Sequence, residues 1–493
     1  MGLIKKQSIS GSIYSYIGVG LGFIISGLLF PRLLKTDEIG LLRLLVSYST
    51  LLAQFSALGF NSVIVKLFPD FRNNAQKHHG FLGIALLIGI AGFIITTAVF
   101  LGLHSYIIEQ ASQKSKLLVS YFYYIIPIFF FTLLFGIFDT YYRALYNAVI
   151  GIIYKEVVQR LFIILFIILY FFKIINFHTL VIFYTIAIIS PAILLLFSLI
   201  KEKVFFIKPD FSFIDKNLAR QMVSVAFFGI IVSYSGVLTM NIDLIMIDHY
   251  LGLSNAGIYA ITFFFGSLIL VPLRTMSKIS SVIIADAWHI NNRKTIMDIY
   301  KKSTLSLSVI GVLLFTGIWG NIDNIFKIIG SEYESGKYVI LFIALANLTD
   351  VFLGVSPQII VNSPNYRWLS YLLFFFTLMV IISNYIFIPK YGIVGAAFAS
   401  LISKALFNLT KFLFLFFKYR FQPFTAKHII LLLISLTTWY LSNFIPQNSY
   451  FIIDIFIRSS FIVLFFTTGI YIFKISDDIN LIIEKTYKRF FKR

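Results

Sequence analysis

The sequence contains no cysteine among its 493 residues. That excludes disulfides, thiolate metal centres and thiol nucleophiles, and leaves the redox compartment open. Charge is also scarce, at 13% of residues against about a quarter in soluble domains. Acidic residues are the scarcer sign, with 21 Asp and Glu against 41 Lys and Arg. No Pro-rich, Ser-rich or acidic tract interrupts the chain, so no disordered recruitment arm is expected. Nucleophile elbows, phosphate-binding loops and HExxH zinc patterns are missing as well. A membrane glycosyltransferase, polymerase or ligase should show a sizeable outer domain or a long catalytic loop, and no outer loop exceeds about 20 residues. The expectation is a protein that is not an enzyme and needs no metal or cofactor.

What is abundant is apolar side chain, 59% of the sequence, with a mean hydropathy of +0.90. A bilayer-spanning helix needs about 20 predominantly apolar residues. Fourteen such runs can be read, at approximately 10–32, 41–65, 80–103, 117–138, 150–172, 178–200, 221–242, 257–284, 303–322, 338–361, 368–388, 392–417, 428–445 and 450–473. The pattern predicts an all-α integral membrane protein whose work is done inside the bilayer. The formal charge of +20 follows topology instead of forming a nucleic-acid patch, so no nucleic-acid partner is expected. Alternate loops hold Lys and Arg in a ratio of about 27 to 8, with Lys155 and Arg160 counted on the inner side. Both termini and the 201–220 loop are thereby placed in the cytoplasm. The start, MGLIKKQSISGSIYSY, has a basic lead, but the apolar run that follows is long and reads as an uncleaved first helix.

The longest inner loop suggests a division into an N-terminal lobe (1–200), an inter-lobe loop (201–220), a C-terminal lobe (221–417), two further helices (418–473) and a basic cytoplasmic tail (474–493). Residues 30–45 and 247–262 both run from a helix end through a polar turn into a Gly-bearing helix. Matching Gly40 with Gly257 gives a shift of 217 (257 minus 40), a hypothesis of internal repetition. In the second run Arg43, Ser47, Thr50, Gln54, Ala57 and Asn61 form one continuous helical stripe. The shift carries the last five onto Phe264, Ser267, Val271, Arg274 and Lys278, so both stripes are expected to face one cleft between the lobes. Small residues stripe the first helix (Gly11, Ser15, Gly18, Gly22, Ser26) and the seventh (Gly229, Ser233, Gly236), where close helix packing is the expectation. The twelfth carries Ala397, Ser400, Lys404, Asn408 and Lys411, which suits a polar cavity better.

A basic side chain near mid-bilayer costs about 2.5–3.5 kcal/mol on insertion scales, so it normally faces a wet cavity or a partner. Helix-turn counting places Arg274 and Lys404 near the middle of their spans. Arg43, Lys278 and Lys411 lie nearer the ends, where snorkelling is the alternative. Asp350 is the one carboxylate at comparable depth, suited either to bind a coupling cation or proton or to neutralise Lys404 or Arg274. Asp454 and Arg458, at i and i+4, are expected to neutralise each other. Asp243 and Asp248 are expected to be solvated at an outer helix end, and His78 and His79 in a solvated inner loop. The interior balance is positive, which favours an anion.

The stretches LLFPRLLKTDEIGLLRLLVSYS, NIDLIMIDHYLGLSNAGIYAI and IPKYGIVGAAFASLIS resemble those of polysaccharide flippases in the multidrug/oligosaccharidyl-lipid/polysaccharide (MOP) exporter superfamily. The resemblance covers essentially the whole chain. It implies a V-shaped pair of six-helix lobes plus two helices, and alternating access that moves a lipid-linked oligosaccharide from the inner to the outer leaflet of the bacterial cytoplasmic membrane. It implies as partners the lipid-linked glycan, membrane lipids and polysaccharide polymerase or assembly proteins. By position Arg43, Arg274, Lys278 and Lys404 are the counterparts of basic residues that engage the diphosphate, with Gln54, Asn61, Ser267 and Asn408 as polar lining and Asp350 for ion coupling or charge balance. The rival readings are a cation-coupled multidrug exporter, a lipid II flippase and, in another class, a membrane polysaccharide polymerase or glycosyltransferase.

Overall fold

In the lipid phase every backbone N–H and C=O must be satisfied within its own segment, and a chain this apolar meets that demand with helices. The computed structural model describes residues 2–476 and 479–481, and among them there are helices and turns but no strands. The basic tail expected over 474–493 lies largely outside the described residues. We label the principal helices α1 (Gly2–Phe23), α2 (Thr36–Ser56), α3 (Phe60–Phe71), α4 (Phe81–Gly102), α5 (Ile125–Ala144), α6 (Gln159–Phe171), α7 (Phe177–Lys201), α8 (Lys216–Leu251), α9 (Leu253–Ser267), α10 (Val271–His289), α11 (Arg293–Gly320), α12 (Ile322–Ile329), α13 (Lys337–Phe352), α14 (Arg367–Tyr419), α15 (Ala426–Ser442) and α16 (Phe451–Ile472).

Among the described residues, eleven helical stretches are long and apolar enough to cross a membrane. Two features of the sequence pattern lie outside that set. The 17-residue α15 is apolar but shorter, and the run ending in α6 carries Lys155, Glu156 and Arg160. The 53-residue α14 contains two of the runs, because Gly392, at φ 60° and ψ −142°, reverses it between 368–388 and 392–417. Large apolar side chains such as Ile94, Phe197, Phe456 and Leu464 are exposed. A water-soluble monomer rarely shows contiguous apolar surface on this scale, so a bilayer must cover it.

Contacts divide the chain into two compact units, Met1–Ala260 and Ile261–Arg493. In the first, Phe68, Phe71, Phe81, Phe129 and Tyr141 form an aromatic core sealed from solvent. The glycine stripe of α1 packs as expected against the segment leading into α6: a Cβ on Gly11 would touch Ile152, one on Gly18 would strike Glu156, and one on Gly22 would strike Arg160. Arg160 donates to the Gly18 carbonyl and pairs with Glu156. Arg160 and Lys155 are therefore intrahelical residues and not the inner-loop charges that the topological count took them for. In α8 close packing is confined to Gly229, which abuts Ser62, whereas Gly236 faces open space.

Gly40 and Gly257 meet each other. A Cβ on Gly40 would overlap the Leu253 carbonyl, and one on Gly257 would overlap the Thr36 carbonyl. Residues 36 and 253 differ by the same 217 as the two glycines, so the contact is reciprocal, and a Thr36–Ser254 hydroxyl bond of 2.7 Å lies beside it. Gly40→Ala or Gly257→Ala is expected to destabilise the protein by about 1–3 kcal/mol, the usual cost of overpacking. Thermal unfolding in detergent reads this directly; unchanged stability in both variants would refute the backbone-to-backbone crossing.

Other expectations change. The polar stripe of the second run is broken: Leu58 and Gly59 adopt positive φ (47° and 70°), ending α2 before Asn61, which belongs to α3. The 3₁₀ turn between α9 and α10 spans Leu268–Leu270, equivalent under the 217 shift to 51–53, so the two breaks do not coincide and the stripes lose phase. His78 and His79 are buried, not solvated. His78 accepts a bond from the Asn73 amide. His79 contacts Asp210 at 3.1 Å and stacks on Phe213 at 3.7 Å, clasping the 202–215 loop. The Ser212 hydroxyl and the His79 ring hold the Asp210 carboxyl below the usual carboxylate range. Asp243 and Asp248, expected in solvent, are both 5% exposed. They accept from Tyr259 Oη and Ser115 Oγ, at 2.8 and 2.5 Å.

Candidate functional site

The basic side chains that the sequence singled out as cavity candidates fall into three settings. In the first unit Arg43, about two turns inside α2, reaches back to the short π-helical segment Ile24–Leu29 that follows α1. Its Nη2 donates to Ser26 Oγ at 2.6 Å, and its guanidinium lies over the Phe30 ring at 5.2 Å. Its Nε is buried with no bond. A cation held by one hydroxyl and a ring retains most of its charge for an anionic ligand. Gln54 is half-buried on the same helix. Asn61 sits across the break, near Gly136 of α5, with its Oδ1 unpartnered.

In the second unit α13 and the second half of α14 build a polar network around Asp350. Lys404, Asn408 and Lys411 lie at i, i+4 and i+7, hence on one face of α14. Lys404 Nζ donates to Asp350 Oδ2 at 3.0 Å and to Asn347 Oδ1 at 2.6 Å. Asn408 donates to Asp350 Oδ1 at 3.0 Å and to Thr349 Oγ1 at 2.6 Å. Lys411 Nζ stands 3.9 Å from Asp350 Oδ1 and over the Phe407 ring at 4.5 Å. Asn347 in turn donates to the Gly266 carbonyl, one residue before Ser267. Two ammonium groups thus share one carboxylate, and the network carries a net positive charge.

Lys411 was placed on the polar face of this helix by the sequence, but its burial against Asp350 was not foreseen. Its position near a span end suggested snorkelling, but its side chain is 3% exposed and turned onto Asp350, whereas those of Lys404 and Asp350 are 24% and 20% exposed. The one available signal was its place on the Lys404–Asn408 face.

The third setting is α10. Arg274 and Lys278, one turn apart, are exposed, and neither forms an ion pair among the described residues. Ser267 spends its hydroxyl on the Phe264 carbonyl at 2.7 Å. The structure therefore brings Lys404, Asp350 and Asn408 together, leaves Arg274 and Lys278 as free cations, and gives Arg43 its own partners. No cluster of three or more metal-ligating side chains occurs among the described residues.

The family model for "Polysaccharide biosynthesis protein" matches residues 4–282. Among solved structures the fold matches the lipid II flippase MurJ in its inward closed conformation, with a TM-score of 0.73 at 16% identity, covering 94% of this chain and 98% of that one. An inward-facing multidrug resistance MATE transporter of the MOP superfamily gives a TM-score of 0.61 at 12% identity, covering 82% and 93%. A MOP superfamily transporter from Pyrococcus furiosus, described as having a binding pocket of reverse polarity, gives 0.58 at 14% identity, covering 83% and 94%. No curated protein matches the sequence.

Proposed function

Because the chain belongs to the polysaccharide biosynthesis protein family, we propose that it is a flippase that moves a polyprenyl-diphosphate-linked oligosaccharide from the inner to the outer leaflet of the bacterial cytoplasmic membrane. The observation that carries this reading is the sign of the intramembrane charge. Arg274 and Lys278 are exposed with no acidic partner among the described residues, and Lys404 shares its carboxylate with Lys411. Such a charge set favours a diphosphate and disfavours the cationic substrates of a drug exporter. In the second unit Arg274 and Lys278 would engage the diphosphate directly, while Lys404 would be held ready by Asp350 and Asn347; in the first unit Arg43 would offer a further cation.

The energetics need no nucleotide. A diphosphate carries about two negative charges, and an inside-negative potential contributes about 2.3 kcal/mol per charge per 100 mV for outward movement. In this reading fourteen spans leave both termini in the cytoplasm, access alternates between the two sides, and polymerase or assembly proteins receive the glycan outside.

Deleting the gene tests the proposal. A lipid-linked glycan of unchanged length and linkage should accumulate in the inner leaflet. A shortened or differently linked glycan would point to a polymerase or glycosyltransferase, and accumulation of lipid II alone would point to the peptidoglycan precursor.

A further inference from the structure

At the end of the second unit where α11 stops, α15 ends and α16 begins, there is a cavity of 260 Å³. Its walls include two of the chain's four tryptophans, Trp319 and Trp439, and four amide side chains, Asn321, Asn324, Asn443 and Gln447. The floor is fixed. Arg458 pairs with Asp454 at 3.3 Å, as the i, i+4 spacing predicts, and also donates to the Ser442 and Ile445 carbonyls, holding the end of α15. Asp454 accepts further bonds from Asn324 and from the Asn448 amide. At the rim Lys337 and Asp323 pair at 3.0 Å.

Each charged side chain of this cavity is thus paired with an opposite one, and nothing is left to attract a phosphate or an ammonium group. What remains open is neutral hydrogen-bonding capacity. Asn321, 7% exposed, donates to the Gly317 carbonyl and to Ser459 Oγ, but its Oδ1 is buried with no donor. The amide side chains of the wall can both donate to and accept from hydroxyl groups. The two tryptophans add indole rings, apolar in the body with one polar N–H, to the same wall. The volume lies just below the ~300–1,000 Å³ of sites for drug-sized ligands.

We propose that this cavity binds one neutral glycosyl residue, its C–H face against tryptophan and its hydroxyls on the amides. Tryptophan at a membrane–water boundary also serves as an anchor, but anchoring requires neither the four amides of the wall nor the ion-paired floor. If the sugar arrives on the transported lipid, the site rests on the flippase reading; if it belongs to a membrane glycolipid, it does not.

The test uses the full chain in nanodiscs and its tryptophan emission, titrated with methyl β-glucopyranoside, methyl β-galactopyranoside and methyl N-acetyl-β-glucosaminide to about 100 mM, a range that spans millimolar affinity. At least one glycoside should give a saturable change. Trp319→Phe and Trp439→Phe should each remove about half of it, and Asn321→Leu should weaken binding about tenfold, whereas Trp288→Phe and Trp368→Phe should leave it intact. No saturable change in the wild type with any of the three, or a change that survives in both cavity tryptophan variants and in Asn321→Leu, would overturn the site. Nanodiscs carrying a polyprenyl-diphosphate-linked hexose or a glucosyl diacylglycerol identify the source by which of them reproduces the emission change. Glycoside binding without glycan transport by the wild type would remove the flippase reading alone. Transport without glycoside binding would remove this site alone.

Discussion

Replacing both Arg274 and Lys404 by alanine is expected to reduce glycan flipping by at least about 100-fold at normal protein levels, since charge-assisted hydrogen bonds contribute about 1.5–3 kcal/mol each. Folding should survive for reasons visible in the structure. Arg274 is exposed with no ion-pair partner among the described residues to orphan, and Asp350 keeps Lys411 at 3.9 Å and Asn408 at 3.0 Å when Lys404 is gone. Lysine in place of Arg274 should retain part of the activity, because it keeps a cation without the guanidinium fork that grips two oxygens at once. The measurement is transport of a labelled lipid-linked glycan, normalised to folded protein. Full transport by the double variant would show that these cations do not bind the substrate.

The second large effect is on stability. Asp350→Asn should cost about 3 kcal/mol, the lower end for breaking a buried pair, because it leaves Lys404 and Lys411 facing an uncharged amide. Lys411 bears most of that penalty, having the less exposed side chain. Adding Lys411→Met to Asp350→Asn should therefore recover more than half of the lost stability, a coupling that a double-mutant cycle reads directly. The loss and the recovery are measured as unfolding midpoints in detergent. No recovery would mean that Asp350 is not there to neutralise these lysines, and altered Na⁺ or pH dependence of transport in Asp350→Asn would instead identify a coupling site.

The membrane class and most helix positions were legible because the bilayer imposes a length and a polarity on every span, and hydropathy reads both. The reversal at Gly392 was visible as a gap between two apolar runs. The reciprocal meeting of Gly40 and Gly257 was foreshadowed by the 217-residue match, although composition could not say that the two glycines touch. Periodicity failed where the chain breaks without a polar interruption. Leu58 and Gly59 sit inside an unbroken apolar run, and nothing in a 3.6-residue repeat registers a left-handed pair, so Asn61 was placed on the wrong helix.

Partner choice was the other illegible quantity. Lys404, Asn408 and Lys411 were readable as one face, but that Asp350 would meet all three depends on how α13 packs on α14. The burial of His79, Asp243 and Asp248 has the same origin, since each meets a residue distant in sequence, whereas His78 accepts from the Asn73 amide and keeps its Nε2 without a partner.

The most direct measurement is transport in proteoliposomes holding the purified protein and a fluorescent polyprenyl-diphosphate-linked glycan, with an imposed inside-negative potential. The account predicts that the glycan moves between leaflets without nucleotide, faster as the potential grows, and not at all with the Arg274→Ala, Lys404→Ala protein. Folded wild-type protein that leaves the glycan in its original leaflet, while exporting a cationic dye, would contradict it.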